Sequence, residues 1–192
     1  MIIPFIVDKI NDLINKKFDI KSFGDISYSK YIEQICYDKI RTIEECTFTN
    51  NDGETDILFY NNVYKLNIKF LDINNNVLVS NLMSIDRIKK LLQDETYHII
   101  YIFIEYKLND NDITITNVHI SNMENIDWNC LTIQNLGKGQ LQMKNNSEPI
   151  MFNFDITRKD WLDELKKQAI QYYDKMILKI TEYKMDWEKN NL

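Results

Sequence analysis

Asp56, Asn67 and Lys69 are the residues of this chain whose types and spacing could do chemistry together. They lie on two apolar-rich runs, 54–60 and 63–70, separated by Asn61-Asn62. Asn tolerates the positive φ that a two-residue hairpin turn requires. A turn at Asn61-Asn62 sets Tyr60 opposite Val63 and Asp56 opposite Asn67, with Lys69 two residues further along the same face. The other face then reads Ile57, Phe59, Tyr64, Leu66, Ile68 and Phe70, and it packs into a core. One spot thus gathers a carboxylate, an amide oxygen and an ammonium. Oxygen donors of this kind suit a hard divalent cation such as Mg²⁺, and an ammonium beside them suits the negative charge that develops during hydrolysis.

The hairpin resembles the core of the PD-(D/E)xK nucleases, where an Asp begins one strand and a D/E-x-K tripeptide lies on the next. Asp56 matches the Asp, and Asn67-Ile68-Lys69 matches the tripeptide with an amide at its acidic position. The resemblance implies Asp56, Asn67 and Lys69 as the catalytic set. Mg²⁺ would be held by Asp56, by Asn67 and by the backbone carbonyl of Ile68, while Lys69 orients or activates water. An amide carries no charge, so the site is one negative charge short. Glu54 on the same strand face could supply it, as could Glu33, Glu44 or Glu45 on the preceding helix, where many family members carry an acid; Glu54 and Glu45 are taken as the further metal ligands. Two other readings of Asn67 stand beside this one: an engineered inactivating substitution, and a natural loss of activity.

A second segment, Asp127 to Asn145, contains Ile133-Gln134-Asn135-Leu136-Gly137-Lys138-Gly139-Gln140-Leu141-Gln142-Met143-Lys144. It resembles a stretch of some small type II restriction endonucleases, and the likeness takes in Ser80 to Asp86 and a closing helix near Trp161. Its chemistry suits DNA. Glycines let backbone N–H groups approach phosphate, and Lys138 and Lys144 can neutralise it. Gln134, Asn135, Gln140 and Gln142 carry the paired donor and acceptor that read adenine. Ser80 and Asn81 could contact the backbone. Gln140, Gln142 and Lys144 alternate onto one strand face, with Leu141 and Met143 on the other. The plainer reading is a hairpin with a Gly-Lys-Gly turn and a solvated polar face.

These residues need elements to position them. Pro4 to Phe18 reads as a helix, and Ser27 caps a second helix reaching about Glu45. Asn50-Asn51-Asp52-Gly53 and Asn74-Asn75-Asn76 are turns, and Ser84 caps a helix through Gln93. Tyr97 to Tyr106 is a near-continuous apolar run and predicts a buried central strand, followed by a half-exposed strand, Ile113 to Ile120. Residues 130–143 predict a hairpin, and Thr157-Arg158-Lys159-Asp160 opens a long helix to about Lys189 with a capping box whose acid is Asp. The aromatic residues of that helix (Trp161, Tyr172, Tyr173, Tyr183, Trp187) recur near helical spacing, as core packing or a dimer face requires. His98 and His119 fall in strands without Cys or His neighbours and read as structural.

The 192 residues, 44% of them hydrophobic, support one domain with a real core. It divides into N-terminal helices (1–48), a catalytic sheet (54–121), a DNA-contacting hairpin (127–150) and a C-terminal helix (157–190). The three cysteines show no zinc or disulfide spacing. With no apolar run of membrane-spanning length and no signal peptide, the expectation is a cytoplasmic protein that does not enter a membrane. The net charge of −6 counts against simple nonspecific nucleic-acid binding, although a local basic cleft can coexist with acidic outer faces. The expected fold is α/β (α+β), a restriction-endonuclease-like mixed sheet flanked by helices. The expected function is a type II restriction endonuclease: a Mg²⁺-dependent homodimer cutting double-stranded DNA at a specific site. The alternative is a catalytically inactive, nuclease-like interaction or DNA-binding protein.

Overall fold

A computed structural model describes residues 2–23, 27–44, 46–51, 54–74, 81–134, 139–144 and 150–189. Helix α1 spans Ile3–Ile10, with Pro4 in its first turn where the missing N–H costs nothing. It buries Ile6 and Ile10, and a 3₁₀ turn, Asn11–Leu13, continues it. The expected helix to Phe18 stops here. Asn15 takes φ 65°, and its N–H donates to the carbonyl of Ile115 at 2.8 Å. The chain reverses into strand β1, Lys17–Asp19, where Phe18 pairs with Ile113. Tertiary strand pairing outcompetes helical periodicity over those residues.

Helix α2 spans Tyr28–Ile40 and stops short of the expected end near Glu45. Ile32, Cys36 and Ile40, spaced by four, line its buried side. Strand β2, Cys46–Asn51, forms a hairpin with β3, Glu54–Phe59, and pairs Asn51 with Glu54. Strand β4 spans Asn62–Asp72. A short strand β5, Asn81–Ser84, leads directly into helix α3, Ile85–Leu92. Strands β6, Tyr97–Leu108, and β7, Asp112–Asn122, form a long antiparallel pair. The expected hairpin appears as β8, Leu131–Gln134, and β9, Gln140–Met143. Helix α4 runs 32 residues, Arg158–Lys189, behind the expected capping box. Thr157 Oγ1 accepts from the Asp160 N–H at 3.1 Å and donates to the Asp160 carboxylate at 2.6 Å.

The strands form two sheets. The larger has the order β1-β7-β6-β4-β3-β2, and its β4–β6 pair is parallel while the other neighbours are antiparallel. The smaller has the order β5-β9-β8. Two apolar cores flank the larger sheet. On one face Ile6, Ile10, Ile32, Cys36 and Ile40 of α1 and α2 meet Ile57, Tyr64, Leu66, Ile100, Ile102 and Ile104. On the other, Ile85, Ile88 and Leu92 of α3 and Trp161 and Leu165 of α4 meet Leu71, Ile99, Tyr101 and Phe103, with Leu131, Leu141 and Met143 of the small sheet. Strand β6 contributes alternate residues to both cores, as a fully buried central strand does. Cys36, Cys46 and Cys130 form no disulfide among the described residues, and burial pushes the Cys36 thiol up to about 12. No helix among the described residues is long and apolar enough to cross a membrane.

Two contacts seat the small sheet and α4. Gly139 adopts φ +100°, and a Cβ there would lie 3.0 Å from Ile85 Cδ1 and 3.1 Å from the Tyr172 ring. Its carbonyl accepts from the Ile85 N–H. At the other end, Arg158 donates through Nη2 to the carbonyls of Leu92, Asp94 and Tyr97, at 3.3, 3.2 and 2.6 Å, and through Nη1 to Glu95 at 3.2 Å. One guanidinium therefore satisfies carbonyls at the C-terminal end of α3 and fastens the start of α4 to it. Arg158→Ala is expected to lower the unfolding free energy by about 2 kcal/mol, as loss of charged hydrogen bonds to partly buried carbonyls does. Arg158→Lys should recover little of it, because an ammonium cannot match the planar fork. Urea unfolding of the three proteins checks both expectations.

Candidate functional site

The β3–β4 hairpin turns one residue earlier than Asn61-Asn62 implies, which shifts the pairing register by two. Phe59 pairs with Asn62, and Asp56 pairs with Lys65 rather than with Asn67. The turn residues are Tyr60 and Asn61, and Tyr60 itself takes φ 53°. A large, 76% exposed aromatic side chain thus occupies a left-handed position that Asn was expected to fill. The cause lies on the far side of β4. Parallel pairing locks Val63 to Tyr97 and continues without a shift to Asp72 and Tyr106, so β4 cannot slide to suit its turn. Because the displacement is by two, alternation survives, and positions 56, 65, 67 and 69 remain in one alternation class of the sheet.

The shift creates a notch. Asp56↔Lys65 is the last paired position of β3 and β4, so Asn67 and Lys69 stand on β4 beyond it, while β6 continues alongside opposite Tyr101 and Phe103. Glu33 on α2 lies within electrostatic reach of Lys69, although α2 packs on the other face of the sheet, that of Tyr64, Leu66 and Ile68. Burial raises its carboxyl above the ordinary value, against the pull of Lys69 and a hydrogen bond from Tyr37. Burial lowers the Lys69 ammonium below its ordinary value, and Glu33 partly restores it. Each group is held by the other against desolvation. Of the helix acids weighed from sequence, Glu33 is one whose charge reaches Lys69, whereas Glu44 is exposed. Lys65, only 7% exposed, was not anticipated, because the expected register put Asn67 in its place.

Several expected site residues lie outside the described residues: Glu45, Ser80, Asn135 and Lys138, together with the side chains of Glu54 and Asp56. Among the described residues no three His, Cys, Asp or Glu side chains converge as a metal cluster. Beside the notch β4 carries the Asn67 amide and the Ile68 carbonyl, and the Glu33 carboxylate comes from α2 on the other face. They are hard donors of the type Mg²⁺ takes, which needs only one or two carboxylates because it keeps several waters.

The small sheet brings the amides into rows. Gln134 pairs with Gln140, which pairs with Ser84; Thr132 pairs with Gln142, which pairs with Asn81. Leu141 and Met143 are buried on the opposite face, as expected. Gln134 and Lys144 are exposed and Gln140 is half-buried. Gln142 differs from the solvated residue expected: it is buried, and its amide N–H donates to Asn81 Oδ1. Being on the central strand of three covers it. Asn81 and Gln142 would have to exchange that bond to reach a base.

His119 fits its structural reading. Its Nε2 lies 2.9 Å from Glu105 Oε1, so Nε2–H donates to that carboxylate. His98 stacks on Tyr64 at 4.8 Å, and its Nδ1 stands 3.9 Å from Glu124 Oε1 without a hydrogen bond among the described residues.

Glu33 and Lys69 generate a pH expectation. A carboxyl whose folded pKa is raised contributes stability below its unfolded pKa and loses it as pH rises through the folded value. Metal-free Glu33→Gln protein should therefore lose less stability than the parent as pH rises through the carboxylate range. Lys69→Met should push the Glu33 pKa higher still, since it removes the cation that lowers it. Carbon-detected NMR titration of the Glu33 carboxyl in both backgrounds measures the direction.

No protein family matches the sequence, and no curated protein does. Among solved structures, the chain is similar to one described as "NlaIV restriction endonuclease", at 10% identity and a TM-score of 0.52, over 86% of this chain and 78% of that one. The mixed sheet with helices on both faces is a restriction-endonuclease-like fold.

Proposed function

We propose that this protein is an endonuclease that hydrolyses double-stranded DNA with Mg²⁺, through a PD-(D/E)xK-type site at the β3–β4 notch. The observation that carries this reading is the end of β3–β4 pairing at Asp56↔Lys65, which leaves Asn67 and Lys69 on β4 beyond β3 and next to the Asp56 position, with Glu33 in electrostatic reach of Lys69. Within a restriction-endonuclease-like fold, Glu33 would reach through the notch from the α2 face to supply the carboxylate missing at Asn67. Asp56, Glu33, Asn67 and the Ile68 carbonyl would hold Mg²⁺, with Glu54 at the strand start as a further donor. The ion supplies neutralisation of the scissile phosphate and a water acidified toward neutral pH.

The chain's own groups do the rest. The partly desolvated Lys69 ammonium hydrogen-bonds the attacking water and offsets negative charge on the phosphate oxygens. Glu33 partly offsets the lowering that burial imposes on the Lys69 ammonium. The amide rows of β8, β9 and β5, with Gln134, Gln140 and exposed Lys144, suit contact with base edges and phosphates, the reading expected of a sequence-specific type II enzyme. A palindromic site would call for a two-fold protein, and a restriction-modification role would follow from such specificity.

One observation favours a second reading. Lys65, buried opposite Asp56, places a cation where a metal would compete with it. A nuclease-like scaffold that binds DNA or a protein without cutting would carry such a charge.

Incubation of the purified protein with long DNA and Mg²⁺, followed by end mapping, separates the readings. Cleavage at a defined sequence with 5′-phosphate ends is expected. Lys69→Ala should lower the rate by at least ~10²-fold, the usual scale for a lost electrostatic or proton-transfer partner. Asn67→Asp should raise it, by adding the missing charge. Specific binding that weakens with salt, without cleavage, supports the non-cutting reading. Neither cutting nor binding across diverse DNA sinks both.

A further inference from the structure

Helix α4 continues well past the body of the protein. Trp161 and Leu165 are buried, Leu162, Ala169 and Tyr172 pack beside them, and beyond Tyr172 no α4 residue joins either core. Seventeen residues, 173–189, extend roughly 25 Å further at 1.5 Å per residue. That stretch is not a polar helix. Ile170, Tyr173, Ile177, Ile180, Lys184 and Trp187 recur at alternating spacings of three and four, the seam of a two-helix coiled coil. Ile177 and Ile180 are 61% and 59% exposed, and Trp187 is 71% exposed. Tyr183 and the half-buried Met176 widen the stripe on one side. An apolar stripe of this size on an extended helix marks a surface that another chain covers.

We propose that α4 pairs antiparallel with α4 of a second copy of this chain, about a two-fold axis between Leu178 and Lys179. Ile177 of each copy then faces Ile180 of the other, and Ile170 faces Trp187.

The polar residues choose the partner and the direction. In a parallel pair, the seam residue Lys184 would face its own copy, two ammonium groups across an apolar contact. Reversed, Lys184 lies over Tyr173 and beside Asp174 of the second copy, a cation on an aromatic face next to a carboxylate. The flank behaves the same way, with Glu188 meeting Lys167. The stripe is thus complementary to itself only when antiparallel. The fold adds a receptacle at the right place. Between α3 and α4 lies a groove of about 570 Å³ lined in part by Ile85, Ala169, Ile170 and Tyr173, with both Lys and Asp side chains in its lining. Trp187 of the second copy stands opposite Ile170 at the mouth of this groove, and an indole is an anchor of the kind that dominates interfaces. Contacts repeat on both sides of the axis, as an isologous interface requires.

The inference deepens the two-fold arrangement proposed above by naming its surface. Its test needs neither DNA nor metal, so it fails separately from cleavage. Sedimentation velocity of the full chain at micromolar concentration should show a dimer. Ile177→Asp with Ile180→Asp, at exposed positions that leave both cores untouched, should give a monomer with an unchanged helical circular dichroism signal per residue and unchanged near-ultraviolet signal from Trp161. Direction is read by oxidative cross-linking on a Cys46→Ser background. An equimolar mixture of Ile170→Cys and Trp187→Cys chains should link to each other, and Trp187→Cys alone should not self-link. A monomeric parent, a dimer that survives the Asp substitutions, or self-linking of Trp187→Cys each overturns the proposal.

Discussion

Strand β4 lies parallel to β6 over ten unbroken pairs, from Val63↔Tyr97 to Asp72↔Tyr106. Parallel neighbours cannot be joined by a tight turn, so the chain must cross over, and it does so through β5 and α3. That crossover places α3 on one face of the large sheet while α1 and α2 hold the other. It also carries β5 to the position where β9 later pairs with it. Both sheets, both cores and the seat of α4 descend from this one pairing. So does the hairpin register. With β4 held by β6 along its length, the β3 turn conforms to the strand, and Tyr60 bears the left-handed backbone that results.

A strand in the middle of such a sheet is buried on both faces, and its neighbour β6 accordingly reads as a continuous apolar run. Strand β4 does not. It keeps Lys65, Asn67 and Lys69 at alternate positions inside a core where charges are costly. Local inconsistency of that kind concentrates at functional sites. The cost is partly relieved because β3 stops pairing after Lys65, which opens a notch, and because the Glu33 charge partly offsets the burial of Lys69. The charge pattern of β4 and the early end of β3 are therefore one feature, since either alone would leave a buried ammonium without compensation or an opening without a purpose.

The same reasoning separates the two halves of α4. Up to Tyr172 the helix is held by Trp161, whose indole N–H donates to the Ile126 carbonyl at 3.1 Å, by Leu165 and by the Arg158 clasp on α3. Beyond it, the apolar spacing continues without any of this chain's own surface to meet. A helix of that composition is not stabilised by propensity alone, and its apolar stripe is the surface on which the proposed pairing rests.

Much of this was legible in the residues themselves. Alternation and apolar runs located β3, β4, β6, β7 and the β8–β9 hairpin, and Thr157 with Asp160 marked the start of α4, because these signals are local and depend on backbone geometry within a few residues. Asp56, Asn67 and Lys69 were placed in one alternation class correctly, since any even shift of register preserves it. What depended on distant partners was not legible. Phe18 left its helix for β1 because Ile113 was available, β5 formed because β9 reached it, and Gln142 was covered because β9 became the middle strand. Lys65 rather than Asn67 came to face Asp56 because β6, thirty residues downstream, sets the position of β4. Glu33 was one of several acids with equal claim in the sequence, and only the fold brings its charge within reach of Lys69. The sequence by itself determined which residues alternate, which faces are apolar and where helices begin. The tertiary structure alone decided which charges meet, because electrostatic partners are chosen by through-space distance and burial, and neither is encoded in spacing along the chain.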